Sequence, residues 1–311
     1  MTIVQPDKPE NNHFIFNALL EAFPDDAHAL FRLCQLGLSE PLGLSHPEVV
    51  EDLMGVEIDG NDREKIQVGY VMITAYYFLL DAVVDGHLDD PLRALYLTHF
   101  LSFACQKFDE VINSYPDKDV ERFNTEFNIL VSKNARAIRL ENEFSANSLS
   151  FSEEKEYASI VGRSNSSIML LELIGVLTSQ SNTNQYKEIL EDFAYFVQLG
   201  DDLADWREDY NANKYSTFLR ELFTEHKRIL SEQELEEEIY LSGIFEARAL
   251  KVIKGLENTI SKIEAIDKNN GSYLKAHIKH QVEAVKKLMT QVIEIKLLFN
   301  NSRRALPNGQ S

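Results

Sequence analysis

The chain has 311 residues, is 44% hydrophobic and carries a formal net charge of −19. That charge opposes binding to nucleic acid and to anionic membrane surfaces, both of which call for a basic face. With 13 glycines and 8 prolines the composition favours long helices over a turn-rich β fold.

Cys34 and Cys105 stand in apolar surroundings away from any Cys or His cluster. This argues against a disulfide framework or a zinc site and for a reducing compartment. The N-terminus, MTIVQPDKPENNHF, has no basic segment followed by an apolar run, so no signal peptide is read. The longest apolar run, 69–80, falls short of the ~20 residues of a membrane-spanning helix. A soluble, cytoplasmic protein without membrane insertion is expected.

Residues 1–13 are polar and expected to be flexible. A helix is predicted over 62–85. Asp90 caps the next, with Pro91 at its first position, and it reaches residue 114. PDKD breaks the chain at 116–119 and a helix follows to 144. Ser150 and Glu153 form a capping-box pattern that opens a helix through 178. Another covers 184–210. Ser231 and Glu234 repeat the pattern and start a helix to 267, and after NNGS a last one spans 273–299. There is no strand alternation and no internal repeat. The expectation is all-α: one domain over 14–299, a bundle of long helices around a central cavity, with a flexible tail over 300–311.

Two acidic groups stand out. From Gly69 to Val84 every residue except Asp81 is apolar, small, Thr74 or a tyrosine. A carboxylate inside such a helix costs several kcal/mol, on the order of an unpaired buried charge, unless it has a partner. Asp85 follows one turn later on the same side. The second group lies in FAYFVQLGDDLADWREDY, where Asp201, Asp205 and Asp209 are spaced along one helical face, flanked by Asp202. Like charges one turn apart repel by a few tenths of a kcal/mol per pair. A solvated face would tolerate this, as in LEEEI at 235–239. Two such groups in one helical chain suit a hard cation held by carboxylates and a substrate phosphate, which is the habit of Mg²⁺. The absence of His and Cys from both groups disfavours zinc or di-iron.

VQLGDDLAD, residues 197–205, resembles the second aspartate-rich motif of trans-prenyltransferases, FQxxDDxxD, through Gln198, Asp201, Asp202 and Asp205, with Val197 in place of Phe. LLDAVVDG resembles the first motif, DDxxD, with Asp81 and Asp85 at its ends and Ala82 at the second position; it also fits the DxxxD form of squalene and phytoene synthases. GRSNSS at 162–167, which includes Asn165, stands where prenyltransferases carry a Lys-Thr step. There Arg163 takes the place of the diphosphate-binding lysine. The resemblance covers residues 66–219 and implies the class I isoprenoid synthase fold. It also implies two or three Mg²⁺ ions, a prenyl diphosphate substrate and a homodimer.

The arginine pair that follows the first motif in prenyltransferases is missing, as is their N-terminal GGKxxRP element. A class I terpene synthase, ionising one allylic diphosphate and cyclising the cation, is therefore the favoured reading. Asp201, Asp205 and Asp209 also have the spacing of the terpene synthase NSE motif. A prenyltransferase, chain-elongating or head-to-head, is the alternative, and a silent helical subunit the third. Metal ligands are expected at Asp81, Asp85, Asp201, Asp202 and Asp205, converging on one cavity with Asp209 at its rim. Arg163, Lys214, Gln198 and Asn165 are expected to bind substrate. Tyr77, Phe78 and Trp206, with Tyr76 and Phe196, are candidates for the aromatic wall that shields a carbocation.

Overall fold

Fourteen helices, and no strand, make up the described residues of the computed structural model, which are 13–38, 46–84, 94–115, 119–146, 151–180 and 182–305. They fall into two compact units. The first comprises residues 1–133 and 165–186, the second residues 134–164 and 187–311.

In the first unit α1 (His13–Ala22), α2 (Ala27–Leu38) and α3 (His46–Met54) precede the long helix α4 (Gly60–Val84), and α5 (Tyr96–Ile112) runs along it. The three N-terminal helices are too short to show a clear period in sequence. α4 is apolar on most of its circumference because α2, α3, α5 and α8 (Asn165–Leu177) all touch it. Its length and composition also suit a bilayer-spanning helix, and 61% of its most apolar window is buried inside the fold. Gly69 is what lets α5 approach. A Cβ there would lie 2.4 Å from the Phe108 ring, which is itself buried against Phe123 and Phe127.

α6 (Val120–Ala146) spans residues of both units. The second unit continues with α7 (Glu153–Arg163), α9 (Asn184–Ala204), α10 (Trp206–Asn211), α11 (Thr217–His226), α12 (Glu232–Leu241), α13 (Ile244–Ile266) and α14 (Ser272–Ala305). α13 and α14 pack along each other, and α12 touches both. Apolar residues at helical spacing, among them Val252, Leu256 and Ile263 on α13 and Ile278, Val282 and Val285 on α14, form this part of the core.

Three of the expected helices are interrupted. The one read over 150–178 stops at Ser164, whose backbone leaves the helical region at φ −86°, ψ 18°. Its N-cap is Ser152, whose side chain makes no capping bond, while Ser150 lies outside the described residues. The helix read over 184–210 bends at Asp205, between α9 and α10. The one read over 231–267 breaks at Gly243, which takes φ +91°, a conformation open to glycine at little cost. Its capping box forms as expected, with Ser231 Oγ accepting from the Glu234 amide and the Glu234 carboxylate accepting from the Ser231 amide. The last helix continues to Ala305, six residues into the expected tail at 300–311. Asp90, Pro91 and 116–118 lie outside the described residues.

Candidate metal and diphosphate site

Asp81 stands in the last turn of α4 and is half-buried, more open than its apolar neighbours suggest. Asp85 lies outside the described residues. One turn before Asp81, Tyr77 is 8% exposed, and its hydroxyl finds no hydrogen-bond partner among the described residues. Burial raises its pKa, and the Tyr76 side chain, with ring centroids 5.5 Å apart, adds to the effect. Phe78 faces outward, 37% exposed.

The acidic helix of the second unit divides its aspartates between two faces. Asp201 and Asp205 are exposed and Asp209 is half-buried, while Asp202 and Trp206 point inward. The backbone bonds from Asp205 N to Asp201 O (2.9 Å) and from Asp209 N to Asp205 O (3.0 Å) persist through the bend. The three outward aspartates therefore keep their helical spacing. Burial raises the pKa of Asp209, and the charges of Asp202 and Asp205 push it the same way, while Lys214 opposes them.

Asp202 is differently employed. One carboxylate oxygen accepts from Gln198 Nε2 at 3.0 Å, the other from the Thr217 amide at 2.9 Å. The second bond satisfies an otherwise orphaned donor in the first turn of α11 and places a negative charge at that helix's N-terminus. Burial pushes the Asp202 pKa up, against these hydrogen bonds and the guanidinium charges of Arg163 and Arg220, which pull it down. Gln198 is thus a partner of Asp202, and Trp206 is 5% exposed, edge-on to Tyr240 and covered by the Arg207 guanidinium 5.1 Å from its ring.

Arg163 pairs with Glu141 at 2.7 Å. In the first unit the Asn165 amide, 2% exposed, donates to Leu130 O at 3.1 Å, which ties α8 to α6. Lys214 is exposed, in the loop between α10 and α11, and its amide donates to Asp209 O at 2.8 Å. Phe196 is half-buried, and Gly255 makes room for it on α13, where a Cβ would come within 2.3 Å of the ring.

Among the described residues no three His, Cys, Asp or Glu side chains meet in a cage for a metal ion. Asp201 and Asp205, open to solvent one turn apart, fit instead a cation that retains several waters and is held by one or two carboxylates and a phosphate, as Mg²⁺ is. Sequence inspection missed the buried group behind this face. Glu156, 1% exposed, accepts from Arg220 Nε at 3.0 Å, again from Arg220 Nη2, and from Thr217 Oγ1 at 3.2 Å. Glu156 is hidden in the charged run EEKE, where nothing distinguishes a buried acid from solvated ones.

No family model and no curated protein matches this sequence. Solved structures do. A geranylgeranyl pyrophosphate synthetase of the archaeon Geoglobus acetivorans superposes with a TM-score of 0.65 at 13% identity, over 90% of this chain and 98% of that one. A geranyltranstransferase of Thermotoga maritima gives 0.55 at 14% identity, over 92% and 98%. A polyprenyl synthase of Caulobacter crescentus, complexed with calcium and isoprenyl diphosphate, gives 0.52 at 14%, over 86% and 97%. The chain has the all-α fold of the class I isoprenoid synthases.

Proposed function

We propose that this protein is an Mg²⁺-dependent enzyme that ionises an allylic prenyl diphosphate and transfers the prenyl cation to a second substrate, as a prenyltransferase. The observation that carries the reading is the outward face of Asp201 and Asp205, kept in helical register while Asp202 is turned inward as an anchor. The names of the solved structures that share the fold, all synthases or transferases of prenyl groups, support transfer over cyclisation.

Asp201 and Asp205, with Asp209, hold the metal in this reading, and Asp81 and Asp85 are the second set of carboxylates. Bound Mg²⁺ supplies the positive charge that lets diphosphate leave. Lys214 and Arg163 add basic donors, although Arg163 must be shared with Glu141. Tyr77, buried one turn before Asp81, excludes water from the reacting cation.

Terpene cyclisation is the second reading. It is favoured by the missing GGKxxRP element and arginine pair, groups that serve isopentenyl diphosphate and the diphosphates in prenyltransferases. The deciding experiment incubates the purified protein with Mg²⁺ and geranyl, farnesyl or geranylgeranyl diphosphate, with and without isopentenyl diphosphate. Longer diphosphates formed only with both substrates support transfer. Volatile hydrocarbons or alcohols from one substrate overturn it in favour of the cyclase, and no turnover of any of them overturns both.

A further inference from the structure

The loop from Ala212 to Ser216 follows directly on the acidic face and carries Lys214. It is fastened at two points. Lys214 N donates to Asp209 O at 2.8 Å, which ties the loop to the end of α10. One residue on, Tyr215 O accepts from Arg220 Nη1, and Arg220 is gripped by Glu156 of α7 through two further nitrogens. Glu156 also takes the Thr217 hydroxyl, while the Thr217 amide goes to Asp202. Glu156, Arg220 and Thr217 are all at most 5% exposed.

A buried ion pair is poor evidence for stability, because apolar residues of similar size often serve the fold as well or better. What this pair does that apolar residues cannot is fix a backbone carbonyl in the Lys214 loop and the first turn of α11 at once. We infer that Glu156 and Arg220 are positioning residues. They hold the Lys214 loop against the Asp201–Asp205–Asp209 face, so that the ammonium group meets a diphosphate presented there. The inference rests on the diphosphate-binding reading above and adds to it two residues that touch neither metal nor substrate.

The test uses inorganic diphosphate with Mg²⁺, titrated calorimetrically into the intact protein, alongside thermal unfolding. The variants are Glu156→Leu/Arg220→Met, Lys214→Ala, and the three changes combined. The double variant is expected to keep a Tm close to that of the wild type, since both charges leave together. Its Kd for diphosphate is expected to rise about tenfold, a loss of about one charge-assisted hydrogen bond. Adding Lys214→Ala should then cost nothing more. Arg220→Lys serves as a second probe: it keeps the charge beside Glu156 but loses the planar fork that reaches Tyr215 O, and it should weaken diphosphate binding in the same way.

A wild-type Kd in the double variant or in Arg220→Lys overturns the inference. So does a further loss on adding Lys214→Ala as large as its loss in the wild-type background. Wild-type protein that does not bind Mg²⁺-diphosphate at all overturns the functional reading, and this inference with it. Wild-type binding that the variants share overturns this inference alone.

Discussion

Asp201 and Asp202 are neighbours in sequence, yet their removal should have opposite consequences for the metal-free protein. In Asp202→Ala the Thr217 amide loses its acceptor in a buried place and Gln198 loses its partner. A buried donor left unsatisfied costs about 1–3 kcal/mol. Gln198 is only half-buried and can turn toward water, so it adds little. Relief of the burial penalty on Asp202 itself, which pushes its pKa up, works in the other direction. The net loss should be about 1–2 kcal/mol, and at about 2–4 °C per kcal/mol the Tm falls by about 2–8 °C. Asp202→Asn should cost less, because its oxygen can still accept from Thr217 while the Gln198 amide reorients to accept from its nitrogen. Asp201→Ala removes an exposed charge that repels Asp205, so its Tm should stay level or rise slightly. Calorimetry in chelator-treated buffer measures all three. Equal losses in Asp201→Ala and Asp202→Ala, or a stable Asp202→Ala, would refute the division of the two aspartates between site and scaffold.

Other expectations follow from single environments. Asp81→Asn should abolish turnover, measured as diphosphate release, while leaving apo stability unchanged or raised; a large drop in Tm would make Asp81 a structural partner. Tyr77→Ala, which removes a buried ring one turn before Asp81, should shift preference toward a substrate one isoprene unit longer than the one the wild type prefers. An unchanged preference in the folded variant would remove Tyr77 from the pocket wall. His277, half-buried and edge-on to Phe193, has its pKa lowered, mainly by desolvation and further by His280. Its neutral form is favoured by the fold, so its contribution is complete above the unfolded pKa of about 6.5 and is lost as pH falls through the lower folded value. His277→Phe should therefore lose less Tm than the wild type between about pH 7 and 5, as unfolding scans in that window would show.

What the sequence discloses is what depends on neighbours along one helix. The spacing of Asp201, Asp205 and Asp209 puts them on one face whatever surrounds them, and the Ser231–Glu234 box closes within four residues. Breaks are less visible. Gly243 and Ser164 interrupt helices whose flanks both have helical periodicity, and only the packing on each side requires a change of direction. The doubled aspartate is the harder lesson. Asp201 and Asp202 are chemically identical, and the inward turn of one is decided by Thr217, fifteen residues away, and behind it by Glu156 and Arg220. A run such as EEKE looks solvated until the helix it belongs to is placed.

Gly69 gives the first unit a fulcrum. α4 rests there directly on the Phe108 ring, and Asp81 stands twelve residues further along the same rod, about 18 Å away at 1.5 Å per residue. Pivoting the rod by about 5° would swing that carboxylate by about 1.5 Å, a displacement of the size that costs an enzyme about a hundredfold in rate. A single methyl group wedged under the fulcrum would thus act by leverage on the chemistry proposed for Asp81. The aim of Asp81 is set as much by the absence of a side chain at position 69 as by anything beside the aspartate itself.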